Sequence, residues 1–131
     1  MDNKKQIYRI IDANLNRLRE GLRVCEEYYR FAKNEEDTSR KLKELRHKCK
    51  DLQDCFDKKD LFSSRNSEED IFASGFEADE NERKDMDALF GANMKRCQEA
   101  ARVIEEFAKL CEKENAAQIA KSIDIIEGSA P

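Results

Sequence analysis

The chain has 131 residues, of which 41% are charged and 39% hydrophobic, and its formal net charge is −4. This length suits one domain with its own hydrophobic core, so we expect a single helical domain over residues 1–131. The charge balance excludes a broad positive surface for nucleic acid. No apolar run reaches the roughly 20 residues that a membrane span needs, and the first residues lack the apolar segment of a signal peptide. We therefore expect a cytoplasmic protein with no nucleic-acid or membrane partner.

Apolar residues recur at three- and four-residue spacings over most of the chain, which predicts amphipathic helices. The first predicted helix covers about residues 5–33, and the second runs from a cap at Asp37 or Thr38 to about Lys58. The third covers about 81–112, and a shorter fourth begins after a cap at Asn115 and ends near Glu127. The predicted fold is all-α, an antiparallel helical bundle of three long helices plus a shorter C-terminal helix.

Residues from about 60 to 80 show no sustained period and are predicted to be irregular. Segments of this length without regular structure are usually functional or mobile in compact domains. Arg65 and Asp70 are candidates for lid residues that close over a charged ligand, and a solvated loop is the alternative.

The five cysteines are odd in number and lack CxxC spacing, and all but Cys55 fall on the apolar stripes. This pattern predicts reduced thiols that act as small core residues.

The chain contains an internal duplication. Residues 13–27 reappear without a gap as residues 92–106, with identity at 8 of 15 positions. We assign repeat one to about residues 7–58 and repeat two to about 81–127. Most of the retained residues are polar, whereas a second core helix would need to keep only its apolar spacing. The repeat therefore predicts a site.

At about 100° per residue, the repeated side chains form a second stripe on each helix, opposite the apolar one. We call these the duplicated stripes; they consist of Ala13, Arg17, Glu20, Val24 and Glu27, and of Ala92, Arg96, Glu99, Val103 and Glu106. One interpretation is a solvated face whose Arg–Glu pairs contribute a few tenths of a kcal/mol each. The other is a shared polar cleft in which Arg binds phosphate and Glu and Asn oxygens hold magnesium. We favour the cleft, because no Lys or Asp substitutes at the repeated charged positions.

Other motifs exclude several site classes. Glu44 and His47 have the spacing of di-iron bundles, but such a site needs two copies and His47 is the only histidine. The chain has no GxxxxGK[ST] loop, GxGxxG turn or Gly-x-Ser-x-Gly elbow, so side chains must hold any nucleotide. Arg46 and His47 are instead candidates for contacts to a ligand phosphate or base.

Residues 12–27, Leu45-Arg46-His47 and residues 92–106 resemble the monofunctional hydroxymethylpyrimidine phosphate kinases of thiamine biosynthesis, over about residues 7–110. The resemblance implies an ATP-dependent kinase that phosphorylates hydroxymethylpyrimidine phosphate to the diphosphate. That family occurs alone or fused ahead of thiamine-phosphate synthase, which implies a functional link to that enzyme. One departure is Phe72, which stands where the family's linker has glycine and which would reshape a phosphate-closing turn.

Roles for individual residues follow from physical reasoning on the matching positions, since phosphoryl transfer needs positioning and charge neutralisation. The predicted catalytic residues are Glu20, Glu27, Glu99, Glu106, Arg23 and Arg102. The predicted substrate and phosphate ligands are Asn14, Arg17, Asn93, Arg96, Arg46, His47 and Arg65. Asp12, Glu20 and Glu99 are the predicted ligands of Mg²⁺. ATP and Mg²⁺ are the expected cofactors and a small-molecule substrate the expected partner, and a homodimer stays open. Two alternatives are a non-catalytic helical adaptor and a thiamine-pathway regulator that binds its ligand without turnover.

Overall fold

The computed structural model describes residues 3–65 and 85–128, with side chains up to Ile123. The described residues form helices and contain no strand, which confirms the predicted all-α class. The helices are α1 (Lys4–Glu27), continued by a π-helical turn (Tyr28–Ala32), then α2 (Glu36–Asp54), α3 (Lys58–Ser63), α4 (Met86–Leu110) and α5 (Glu114–Gly128).

Two helix starts differ from the prediction. Asp37 and Thr38 lie inside α2, because the chain is already extended at Glu35 and turns helical at Glu36. Asn115 lies inside α5 rather than before it. The break between α1 and α2 is as predicted, and Asn34 sits there in the left-handed region with φ 55°, where asparagine is tolerated better than most residues.

Helix α3 begins at Lys58 and overlaps the start of the segment, about residues 60–80, that is predicted to be irregular. Asp57 begins this helix, because its carboxylate accepts hydrogen bonds from the backbone N–H groups of Lys59 and Asp60, at 2.8 and 3.2 Å. Leu61 anchors it in the core. The rest of that segment, including Asp70 and Phe72, lies outside the described residues.

Replacing Asp57 with alanine is expected to lower the free energy of unfolding by about 1 kcal/mol, since two N–H groups lose their acceptor. Urea denaturation followed by far-UV circular dichroism measures the change. Asp57→Asn is the control, because asparagine caps helices about as well as aspartate. Equal losses in both variants would show that the cap bonds do not stabilise α3.

Helices α1 and α4 pack antiparallel at the centre of the bundle. Tyr28, just after α1, stacks on Phe90 near the start of α4 with ring centroids 4.7 Å apart. At the other end, Ile7 and Leu110 line the same pocket. Between these points Gly21 faces Cys97, and a Cβ at Gly21 would lie 2.6 Å from the Cys97 sulfur. The missing side chain therefore lets the two helices approach closely.

The remaining helices cover the side of this pair that carries the apolar stripes. α2 and α3 pack against α1, and α5 packs against α4 and α2. The core they enclose includes Leu18, Leu22 and Ile104, all fully buried. In the part of the chain with described side chains, no helix is long and apolar enough to cross a membrane.

The five cysteines are all free thiols, as predicted. Cys25, Cys49 and Cys97 are buried in the core, and Cys55 and Cys111 are half-buried. Burial raises the pKa of Cys55 and of Cys111, which keeps both thiols protonated and poorly nucleophilic. The cysteines thus act as packing residues.

Candidate functional site

The duplicated stripes lie on the surface of the α1–α4 pair and do not line an internal cleft. Arg17 and Glu20 on α1 are exposed, and so are their counterparts Arg96 and Glu99 on α4. The prediction that the two stripes turn inward toward each other is therefore wrong. The physical reason is that Gly21 and Cys97 bring the helix backbones together, which leaves no room for a polar cleft between them.

The duplicated asparagines are buried beneath this surface. Asn14 Nδ2 donates to the carbonyl of Ile10, and Asn93 Nδ2 donates to the carbonyl of Leu89, both at 2.8 Å. The Asn14 side-chain oxygen accepts a hydrogen bond from Arg17 at 3.4 Å. Both amide groups thus serve the helix in the same way in each repeat, and their role as ligand contacts stays a prediction.

The glutamate and arginine side chains at the ends of the duplicated motifs form exposed pairs along each helix. Arg23 pairs with Glu27 at 2.9 Å, and Arg102 pairs with Glu106 at 3.1 Å. Such exposed pairs contribute little to stability. Their geometry matches the solvated-face alternative, and the catalytic roles assigned to these four residues stay predictions.

A different face of α1 carries a row of charged residues, of which Asp12 and Glu26 are buried and Arg19 is exposed. Asp12, Arg19 and Glu26 are seven residues apart, so they lie in one row along the helix. Glu26 is only 5% exposed, and both its oxygens accept hydrogen bonds from Arg46 of α2, at 2.8 and 3.2 Å. The Arg46 guanidinium is therefore held in a fixed orientation by two charge-assisted bonds.

At the other end of this row, the buried Asp12 pairs with the exposed Arg65, whose side chain is 48% exposed. Both oxygens of Asp12 accept hydrogen bonds from Arg65, at 2.7 and 3.0 Å. These bonds raise the pKa of Arg65, and Phe62 lies beneath the guanidinium with its centroid at 5.2 Å. Through Arg65, the end of α3 is thereby attached to α1.

Between these two ion pairs, α1, α2 and α3 form a pocket of about 390 Å³ that we call the basic pocket. It is lined by Arg19, Arg46, His47, Lys50, Gln53, Asp54 and Lys58. Four of these side chains are cationic, and a fifth is the only histidine of the chain. Lys50 and Lys58 have no ion-pair partner within residues 3–65 and 85–123. The positive charge is thus concentrated in a chain whose net charge is negative.

The structure therefore brings Arg46 and His47 together at this pocket and pairs Asp12 of the row with Arg65. It leaves the duplicated stripes elsewhere on the surface. Sequence reasoning missed Arg19, Lys50, Lys58 and Glu26. A signal for them was present, because Arg46 and Lys50 are one helical turn apart and Asp12, Arg19 and Glu26 are seven residues apart.

The basic pocket is not duplicated. The residues of repeat two that correspond to Asp12 and Arg19 are Gly91 and Gln98. Glu105 corresponds to Glu26 and is also buried, but its ion-pair contact is Lys109 of its own helix, at 3.8 Å. The pocket thus depends on residues in which the two repeats differ.

The three predicted Mg²⁺ ligands, Asp12, Glu20 and Glu99, do not form a cluster. In the part of the chain with described side chains, no three His, Cys, Asp or Glu residues form a group that could hold a metal ion. Asp12 is occupied by Arg65, and Glu20 and Glu99 lie on the exposed stripes. Binding of ATP and Mg²⁺ stays a prediction.

A family model described as the ThiD2 family matches residues 9–124 of the chain. The chain belongs to this family. Among its curated relatives, thiamine-phosphate synthase of Synechocystis sp. is 42% identical over 107 residues, which cover 79% of this chain and 29% of the relative. The enzyme of the same name from Thermosynechococcus vestitus is 39% identical over 113 residues, covering 84% and 30%. That of Rhodopirellula baltica is 35% identical over 115 residues, covering 88% and 31%.

This member of the ThiD2 family thus spans about three tenths of the length of the curated relatives it matches. The family and the relatives' names support a domain of the thiamine pathway. No solved structure matches the chain.

The comparisons correct one prediction. The chain was expected to be an ATP-dependent hydroxymethylpyrimidine phosphate kinase, and this assignment is wrong, because the similar curated proteins are named thiamine-phosphate synthase, which is a different enzyme. The predicted place in the thiamine pathway is supported, whereas the predicted kinase activity is wrong.

Proposed function

We propose that this chain is a ligand-binding domain of thiamine biosynthesis and that its basic pocket binds a phosphorylated compound of that pathway. The observation that carries the proposal is the concentration of Arg19, Arg46, Lys50 and Lys58 around one pocket of about 390 Å³. This volume falls in the usual range for small-molecule sites, roughly 300 to 1,000 Å³.

The pocket is suited to phosphate by its electrostatics and by its rigidity. Arg46 uses two of its five N–H groups to hold Glu26, so the others stay available in a fixed direction. Lys50 and Lys58 supply mobile point charges, and Arg19 supplies a second guanidinium. His47 and Gln53 offer hydrogen bonds to the uncharged part of a ligand. Together these groups favour an organic phosphate over an uncharged molecule.

The relatives suggest which phosphates to test. They are named thiamine-phosphate synthase, and the chain matches about three tenths of their length. We therefore propose that the domain holds a phosphorylated pyrimidine or thiamine compound for such a synthase, as the regulator alternative describes. Hydroxymethylpyrimidine phosphate, its diphosphate and thiamine phosphate are the first candidates.

Calorimetric titration without nucleotide tests the proposal. The wild-type chain is expected to bind at least one of these phosphates and to bind unphosphorylated hydroxymethylpyrimidine far more weakly. Arg19→Gln combined with Lys50→Gln is expected to weaken phosphate binding at least about tenfold, since two hydrogen bonds to a charged group are lost. Arg40→Gln with Lys41→Gln removes the same charges from an exposed part of α2 outside the pocket and is the matched control.

Equal affinities in the two double variants would place the phosphate outside the basic pocket. Equal affinities for hydroxymethylpyrimidine with and without its phosphate group would reject a phosphorylated compound as the ligand. Titrations at two salt concentrations add a further check, because a phosphate held by several cations is bound more weakly at high salt.

A further inference from the structure

The duplicated stripes of α1 and α4 form one continuous surface, on which the charged residues are exposed and the alanines and valines half-buried. The residues of this surface belong neither to the core nor to the basic pocket. We propose that this face is the interface of a homodimer, in which it packs against the same face of a second copy of the chain. The proposal does not depend on the function of the basic pocket, which involves other residues.

The duplication extends to apolar residues at both ends of the stripes. Residues 79 positions apart correspond, and on this face the apolar pairs are Ile10 and Leu89, Ala13 and Ala92, Val24 and Val103, and Phe31 and Leu110. Phe31 is 66% exposed and Leu110 is 65% exposed. Large apolar residues retained and exposed at both ends of a repeated surface are typical of a protein interface.

The two stripes lie on the same side of the helix pair. Antiparallel helices with the same sequence motif are related by a local twofold axis perpendicular to the pair, which passes near Gly21 and Cys97. Such an axis places both duplicated stripes on one face. The described helices α2, α3 and α5 pack on the other side, where Arg46 and Arg65 contact α1.

The charges at the centre of this face are complementary to themselves. Arg17 precedes Glu20 along α1, and Arg96 precedes Glu99 along the antiparallel α4. Viewed along the local axis, these four side chains form a rectangle in which arginine and glutamate alternate at the corners. A second copy turned over by a twofold axis that lies in the plane of the face, parallel to the helices, places each arginine opposite a glutamate of the other copy. An isologous interface needs this self-complementarity, whereas an unrelated partner would not require it on both helices.

The size of the face is sufficient for a stable dimer. A helix of 24 residues, such as α1, is about 36 Å long at 1.5 Å per residue. Two packed helices are about 20 Å wide, so the face covers about 700 Å². Specific protein interfaces bury roughly 600 to 1,000 Å² on each partner, so this area falls within their range.

Sedimentation equilibrium of the full chain tests the proposal. The wild type is expected to approach twice the chain mass of 15.3 kDa. Arg17→Glu with Arg96→Glu makes all four corners acidic and is expected to raise the dimer dissociation constant at least about tenfold. Arg40→Glu with Lys41→Glu changes the net charge equally on α2, and this control is expected to remain dimeric.

A four-residue exchange provides the rescue. Arg17→Glu, Glu20→Arg, Arg96→Glu and Glu99→Arg together preserve the net charge and restore alternating corners, so the dimer is expected to return. All four side chains are exposed, and circular dichroism checks that each variant keeps its helices. Leu110→Glu is a second variant that is expected to weaken the dimer without touching the central charges.

A wild-type monomer at every concentration would overturn the proposal. So would dimers that persist in the acidic double variant, or a charge exchange that fails to restore association. Binding of a separate thiamine-phosphate synthase domain by a monomeric wild type, lost in the acidic variant, would assign the face to that enzyme instead.

Discussion

Replacing Arg46 with methionine is expected to lower the free energy of unfolding by about 2–4 kcal/mol, because the Glu26 carboxylate loses both of its charge-assisted hydrogen bonds while it stays buried. Methionine replaces the aliphatic stem of the arginine side chain, so most of the apolar packing is kept. Urea denaturation of the ligand-free protein, followed by far-UV circular dichroism, measures the change.

Two further variants test whether the loss of stability in Arg46→Met comes from the buried, unpaired Glu26 carboxylate. Arg23→Met breaks the exposed pair with Glu27 and is expected to leave the free energy of unfolding almost unchanged. Glu26→Leu combined with Arg46→Met removes both charges and is expected to recover most of the lost stability. A double variant as unstable as Arg46→Met alone would show that Arg46 stabilises the fold through packing and not by satisfying Glu26.

Replacing Gly21 with alanine is expected to lower the free energy of unfolding by about 1–3 kcal/mol, because the new methyl group would lie 2.6 Å from the Cys97 sulfur and 3.4 Å from the Asn93 carbonyl oxygen. The change favours the helix intrinsically by about 1 kcal/mol, so the expected loss is the net of clash and propensity. Thermal and urea unfolding give the value.

The chain offers a matched control in Gly91. This residue is also helical, but nothing lies within 4 Å of an added Cβ, so Gly91→Ala is expected to stabilise the protein by about 0.5–1 kcal/mol. Cys97→Ala in the Gly21→Ala background removes the sulfur and is expected to recover part of the loss. If Gly21→Ala were as stabilising as Gly91→Ala, the close approach of α1 and α4 would not be as tight as the structure shows.

Much of the fold could be predicted, because each long helix buries a continuous stripe. Leu18, Leu22 and Cys25 follow the three- and four-residue apolar spacing that predicts the first helix, and all three are fully buried. Helix α3 could not be predicted from periodicity, because it has only six residues. Its stability comes from the Asp57 cap and from the burial of Leu61, and the latter depends on contacts made elsewhere in the chain.

The site was harder to predict. The internal repeat indicates a role for Arg17, Glu20, Arg96 and Glu99, because exposed polar residues are rarely identical in two repeats unless they contact a ligand or a partner. The proposed dimer interface gives these residues such a role. The inference that they surround an internal cleft failed, because helical spacing defines the face of a side chain but not what packs against that face.

The duplication and the helical periodicity determine the helices, their apolar stripes and the repeated polar surface, since all of these follow from local spacing along one chain. Only the tertiary structure distinguishes Asp12 and Glu26 from the other carboxylates of α1. They become buried partners of Arg65 and Arg46 when α3 and α2 pack beside α1, and that packing also gathers Arg19, Lys50 and Lys58 around one pocket. A pocket between helices is a long-range property, because its charges come from segments that are far apart in sequence.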